Sequence, residues 1–172
     1  MTAPARPPAG ADPSAVEPTA RDRLAILRRT RSVAIVGMSA DRSRPSHFVA
    51  TYLTSSSADY EVWFVSPRGG EVLGRPMYPS LEALPVVPDL VDVFRRVDDL
   101  PDAAEQAIAV GARTLWFQLG LRHEAAERRA RRADLDVVSD RCLKIEHARF
   151  AGGLHLAGFD TGVISSRRAG PR

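Results

Sequence analysis

The stretch from Ser32 to Phe48 reads SVAIVGMSADRSRPSHF. Val33 to Val36 form a short apolar run of the kind that makes a buried strand, and the run stops at Gly37. A polar loop follows. Pro45 then opens a helix, because proline's missing N–H is no loss at the first helical position. The start of a helix presents free backbone N–H groups and the positive end of its dipole, a natural site for an anion. Gly37 lets the backbone approach a phosphate closely. Ser39, Ser43 and Ser46 add hydroxyl donors, and Arg42 and Arg44 add guanidinium groups that match phosphate oxygens in pairs. The loop is not the G-x-G-x-x-G dinucleotide fingerprint, since Ser39 stands where the second glycine would be. No G-K-[ST] follows, so a P-loop is excluded.

Working outward, further apolar runs recur at Glu61–Val65 (EVWFV), Leu90–Phe94 (LVDVF) and Thr114–Leu119 (TLWFQL), and a fifth starts at Leu135–Val138 (LDVV). They are nearly continuous in apolar residues rather than alternating, which suits strands buried on both faces of a parallel sheet. Helical segments lie between them. Leu24–Arg29 precedes the first strand, and Pro45–Leu53 follows it with Phe48, Val49, Tyr52 and Leu53 on one side. Ser80–Leu84 reads as a single helical turn. Leu100, Ala104, Ala107, Ile108 and Gly111 fall on one helical face, with Asp98 or Asp99 available as N-cap. His123–Ala133 is a basic helix that begins at His123 and has Ala126, Ala130 and Ala133 as its inner stripe. Strands alternating with helices predict an α/β fold, a Rossmann-like three-layer sandwich around a five-stranded parallel sheet.

The second strand ends at Val65 and runs into Ser66-Pro67-Arg68. An NAD site would place an acidic residue here for the ribose hydroxyls. Arg68 suits an extra phosphate instead, as in NADP or in the 3′-phosphate of coenzyme A. Pro67 also serves simply to end the strand.

The 172 residues suffice for one domain with tails, expected at 21–150. Residues 1–20, rich in proline and poor in large apolar side chains, read as a disordered arm, and 151–172 as a loose tail. The lone cysteine, Cys142, excludes an internal disulfide framework and a cysteine-rich zinc site. No apolar run reaches the ~20 residues that cross a bilayer. A cytoplasmic protein without a membrane partner is the expectation. The net charge is +3, carried almost entirely by arginine. The run RHEAAERRARRAD lacks interleaved aromatics and any nucleic-acid motif, so it reads as a solvated outer helix and no nucleic-acid partner is expected.

Read together, VAIVGMSADRSRPSHFVATYL, VSPRGGEVLGRPMYPSLEALP, DLVDVFRR, GARTLWFQLG and VVSDRCLKIEH make residues 24–150 resemble the small bacterial CoA-binding proteins. These are similar in turn to the CoA-binding domain of the succinyl-CoA synthetase alpha subunit. The resemblance implies coenzyme A lying across the carboxyl ends of the strands. Gly37, Ser39, Arg42, Pro45 and Ser46 would then hold phosphates, and Val65, Ser66, Pro67 and Arg68 would lie beside the adenosine. Phe94 and Arg95 would line the middle of the site, with Gln118 and Cys142 approaching the pantetheine arm. The family usually has Asn where this chain has Ser66. The synthetase's second, histidine-bearing domain has no counterpart in 172 residues, so the resemblance implies a binding site without a reaction.

No catalytic constellation emerges from the residues themselves. His147, in KIEHARF, reads as a packing residue, and His47 as either a phosphate neighbour or a surface group. Cys142 reads as a small buried hydrophobe. The other reading is a reactive thiol: with the thiol of coenzyme A close by, Cys142 could form a mixed disulfide, and Arg141 or Lys144 would favour the Cys142 thiolate. The expected function is a noncatalytic binding or regulatory module for coenzyme A or an acyl-CoA. An NADP-linked oxidoreductase or redox sensor on the same fold stands as the alternative, and an interaction protein that works through the basic helix as a third.

Overall fold

Thr19 and Asp22 cap each other. The Thr19 backbone N–H donates to the Asp22 carboxylate at 2.9 Å, and the Asp22 N–H donates back to the Thr19 hydroxyl at 3.3 Å. The Thr19 hydroxyl also donates to the Asp22 carboxylate at 2.6 Å; this bond first, and that from the Thr19 N–H second, hold the Asp22 carboxyl below the usual range, and the mutual capping starts helix α1 (Ala20–Arg29). The computed structural model describes residues 16–55 and 59–151, so the reading of 1–15 as disordered and that of the tail beyond 151 lie outside the described residues. Residues 16–20 correct the expected boundary, because they belong to the domain. Glu17 accepts the Ser139 N–H at 3.0 Å and pairs with Arg122 at 3.3 Å.

The five expected strands are all present: β1 (Ser32–Val36), β2 (Glu61–Val65), β5 (Leu90–Val93), β6 (Thr114–Phe117) and β7 (Asp136–Val138). They pair in parallel. Among the described residues the sheet nevertheless has seven strands, not five, in the order β3-β4-β2-β1-β5-β6-β7. The two additions, β3 (Glu71–Val72) and β4 (Arg75–Tyr78), form a tight hairpin, with β4 parallel to β2 and β3 antiparallel to β4. Leu73 and Gly74 at its turn both have positive φ, as two-residue hairpins of this hand require. A two-residue strand and a proline at Pro76 leave no apolar run to read from sequence.

Helices α1, α2 (Pro45–Ser55) and α5 (Leu143–Ala151) cover one face of the sheet, and α3 (Leu100–Ala109) and α4 (Glu124–Arg132) the other. On the first face Ile35, Phe64 and Trp116 meet Ile26, Val49, Leu53 and Leu143. On the second, Val91, Val93 and Phe117 meet Leu100, Ala104 and Ala130. Each fully buried leucine here contributes roughly 2 kcal/mol of transfer free energy. The three-layer reading therefore stands.

Two local expectations are corrected. Ser80–Leu84 is a pair of turns closed by the Ala83 and Leu84 N–H groups, not a helix, since prolines at 79 and 85 bracket it. Asp99 occupies the N-cap of α3 without capping it, because its carboxylate is drawn to Arg96 at 3.1 Å. At α4 the reading holds: His123 Nδ1 accepts the Ala126 N–H at 3.2 Å, and Ala126 and Ala130 are buried. Three of the four arginines of α4 are matched to acids, Arg128 to Glu124, Arg129 to Glu105 and Arg131 to Glu127.

The chain leaves β1 toward β2 on one side and returns to β5 on the other. In an open parallel sheet such a reversal leaves a crevice at the carboxyl ends of the two central strands.

Candidate functional site

A cleft of about 1070 Å³ occupies that crevice. The β1–α2 loop forms one wall. Gly37 stands at its base with φ +85°, and its N–H and that of Met38 both donate to the Val65 carbonyl, at 3.0 and 3.1 Å. A Cβ built on Gly37 would lie 2.2 Å from the Phe94 carbonyl oxygen, so only glycine lets the ends of β1 and β5 come together here. Asp41 then organises the loop: its carboxylate accepts the Ser43 N–H at 2.9 Å and the Ser43 hydroxyl at 2.8 Å. Those two bonds hold the Asp41 carboxyl below its ordinary value.

This turn decides which arginine serves the cleft. Arg42 sits at the exposed tip and does not line it, whereas Arg44 returns to the wall beside Pro45 and Ser46 at the start of α2. Val65 is likewise absent from the lining, since its side chain is buried in the core and only its carbonyl serves the loop. Ser43 is spent on Asp41, and His47 is buried on α2 outside the lining.

The remaining expected residues meet in the cleft: Gly37, Ser39, Pro45, Ser46, Ser66, Pro67, Arg68, Phe94, Arg95, Gln118 and Cys142. They come from four separate strand ends and the turn before α5. Arg44, Arg68, Arg95 and Arg96 place four guanidinium groups around the rim, against Asp41 and Asp99. The site also has parts that sequence reading missed. Met77, carried by the hairpin, closes the side beyond Arg68, and Phe48 and Ile145 supply apolar surface. The Lys144 ammonium lies 3.6 Å from the centre of the Phe48 ring.

Below the floor lies Asp92, which is fully buried and receives the Gln118 Nε2 at 2.8 and 2.9 Å. Burial pushes its carboxyl up to about 8, with the Gln118 hydrogen bonds opposing. The signal in the sequence was the aspartate inside the apolar run LVDVF. Cys142, on the turn into α5, has its thiol pushed up, first by burial and then also by Asp92. The reading of Cys142 as a small hydrophobe packed on the core agrees with this, and the other possibility, a thiolate favoured by Arg141 or Lys144, does not: the charge of Lys144 comes last among the influences on the thiol, and Arg141 is within 3.7 Å of Glu146. His147 is buried between Tyr52 and Tyr60, with Nδ1 2.9 Å from the Tyr52 hydroxyl, in the packing role expected of it.

Residues 31–148 match the CoA binding domain family. The chain belongs to that family. A curated relative, the uncharacterized protein YneT of Bacillus subtilis (strain 168), is 36% identical over 123 residues, covering 72% of this chain and 90% of that protein. Among solved structures, a hypothetical protein from Pyrococcus horikoshii OT3 is 35% identical with a TM-score of 0.73, covering 80% of this chain and 94% of that one. A Thermus thermophilus protein is 35% identical with a TM-score of 0.72, covering 77% and 99%. The family match spans every strand and the whole cleft. Among the described residues no helix is long and apolar enough to cross a membrane, and no three metal-binding side chains cluster.

Proposed function

We propose that the chain binds coenzyme A or an acyl-CoA in this cleft and acts as a noncatalytic binding or regulatory module. The observation that carries the reading is the chemistry of the cleft of a CoA-binding-domain protein. Arg44, Arg68, Arg95, Arg96 and the start of α2 line it together with the uncharged side chains of Phe94, Gln118 and Cys142. A nucleotide with three phosphate groups matches the first set. An uncharged amide-bearing arm matches the second. The rise in the Cys142 thiol supports a binding role over a nucleophilic one.

Calorimetric titration with coenzyme A, repeated with NADP in the same buffer and salt, tests the reading. Micromolar binding of coenzyme A with none of NADP is expected. Binding of NADP alone, or of neither, would sink it.

A further inference from the structure

Asp92 and Gln118 sit on neighbouring strands, on the face covered by α1, α2 and α5. Asp92 is in register with Ile35 of β1 and Trp116 of β6, both core residues of that face. Gln118 lies just beyond the end of β6, 5% exposed, and lines the cleft. A carboxyl at the centre of a parallel sheet replaces an apolar side chain that would pack without an unmet charge. Its position is hard to explain by packing and easy to explain by what it does to Gln118.

A side-chain amide has two unlike ends, a donor and an acceptor. The Gln118 nitrogen is 2.8 and 2.9 Å from the two Asp92 oxygens, so the donor end points down into the sheet. The carbonyl oxygen is left at the cleft end. Among the described residues nothing donates to it, and it is not sealed from the cleft. An ionised carboxylate only accepts, so it enforces this orientation. A protonated one donates to the amide oxygen and turns an amide N–H toward the cleft instead.

We propose that Asp92 is a positioning residue that sets the polarity of the cleft floor, fixing the Gln118 carbonyl as the acceptor for an amide N–H of the ligand's arm. This rests on the coenzyme A reading, whose pantetheine arm carries two such amides. A ligand N–H on the Gln118 oxygen selects the ionised carboxylate, so binding of the arm releases a proton from Asp92. The facing titratable group is the Cys142 thiol, with Lys144 beyond it. The neighbours from β1 and β6, Ile35 and Trp116, do not titrate.

Two probes separate arm from nucleotide: acetyl-CoA, whose sulfur does not titrate, and adenosine 3′,5′-bisphosphate, which lacks the arm. Their affinity ratio cancels the 3′-phosphate they share; the 5′-phosphate is a monoester only in the bisphosphate and titrates at about pH 6 in every variant alike, so the wild-type ratio is divided by that of Asp92→Asn. That quotient is expected to rise with pH below about 8, by up to about tenfold per unit for one released proton. Asp92→Asn should lower acetyl-CoA affinity roughly tenfold, about the effect of one hydrogen bond, leave the bisphosphate unchanged and flatten the pH profile. Gln118→Leu should lose as much, and the double variant no more than either. A ratio for Asp92→Asn equal to wild type at every pH overturns the positioning role while leaving the coenzyme A reading intact. Failure of the wild type to bind either probe overturns both.

Discussion

Arg23 on α1 and Glu146 on α5 meet in a buried ion pair, Nε to Oε2 at 2.8 Å, with side chains 6% and 0% exposed. Arg23 also donates to the Pro18 carbonyl at 2.6 Å, and Arg141 and Arg149 lie within 3.7 Å of the other Glu146 oxygen. The pair ties the first described helix to the last. Removing one charge leaves its partner buried, which costs about 3–5 kcal/mol where such pairs have been broken. Glu146→Gln is therefore expected to lower the melting temperature by roughly 10 °C, at about 2–4 °C per kcal/mol for a chain of this size. Scanning calorimetry reads this directly. An unchanged melting temperature would show that the pair contributes nothing.

Gly37 and Gly111 make a controlled comparison. Both have positive φ, +85° and +78°, but only Gly37 faces a carbonyl at 2.2 Å from a built Cβ, while nothing lies within 4 Å at Gly111. Gly111→Ala should cost the backbone strain alone, about 1–2 kcal/mol. Gly37→Ala must also separate β1 from β5 at the cleft, so a loss above ~3 kcal/mol and weakened coenzyme A binding are expected. Urea titration of both variants checks the difference, and equal losses would refute the role given to the Phe94 carbonyl.

Of the two arginines of the β1–α2 loop, Arg44 lines the cleft and Arg42 does not. Arg44→Ala should weaken coenzyme A by several-fold or more, and Arg44→Ala with Arg68→Ala by more still, as expected for lost phosphate contacts. Arg42→Ala should stay within about twofold of wild type, its effect being only the field of an exposed charge. Titration calorimetry at a fixed, low salt concentration decides it. A larger effect at Arg42 would contradict the loop geometry.

Asp92 also predicts how stability follows pH. Its carboxyl titrates near 8 when folded and near its ordinary value of 3.8 when unfolded. Between those values the folded chain holds a proton that the unfolded chain has lost. Stability from this group is full below about pH 4, falls as pH rises through the interval, and levels off above about 8. At about 1.36 kcal/mol per pKa unit, a shift from 3.8 to about 8 sets the fall at up to about 6 kcal/mol. Asp92→Asn, which cannot ionise, should remove it, so the variant's advantage over wild type is greater at pH 8 than at pH 5. Denaturant titrations at both pH values test this; parallel curves would mean that Asp92 ionises freely in the fold.

Sequence by itself determined the five parallel strands, the helices between them and the crevice to which they lead. Apolar runs and helical periodicity are local patterns, and burial on both faces leaves its mark in each run separately. Pro45 announced α2, Gly37 the turn, and His123 the start of α4, because each residue acts on its own backbone. Only the tertiary structure decided what depends on partners distant in the chain. The β3–β4 hairpin exists because β4 finds β2, and Met77 enters the site through it. Arg44 rather than Arg42 lines the cleft in a loop whose Asp41 carboxylate bonds Ser43 and lies 3.8 Å from Arg44. Asp99 leaves α3 uncapped because Arg96 takes it. Asp92 gains its partner only when the fold brings Gln118, 26 residues later, beside it. A side chain's charge and orientation are set by what surrounds it, and those surroundings come from strands paired across the sheet.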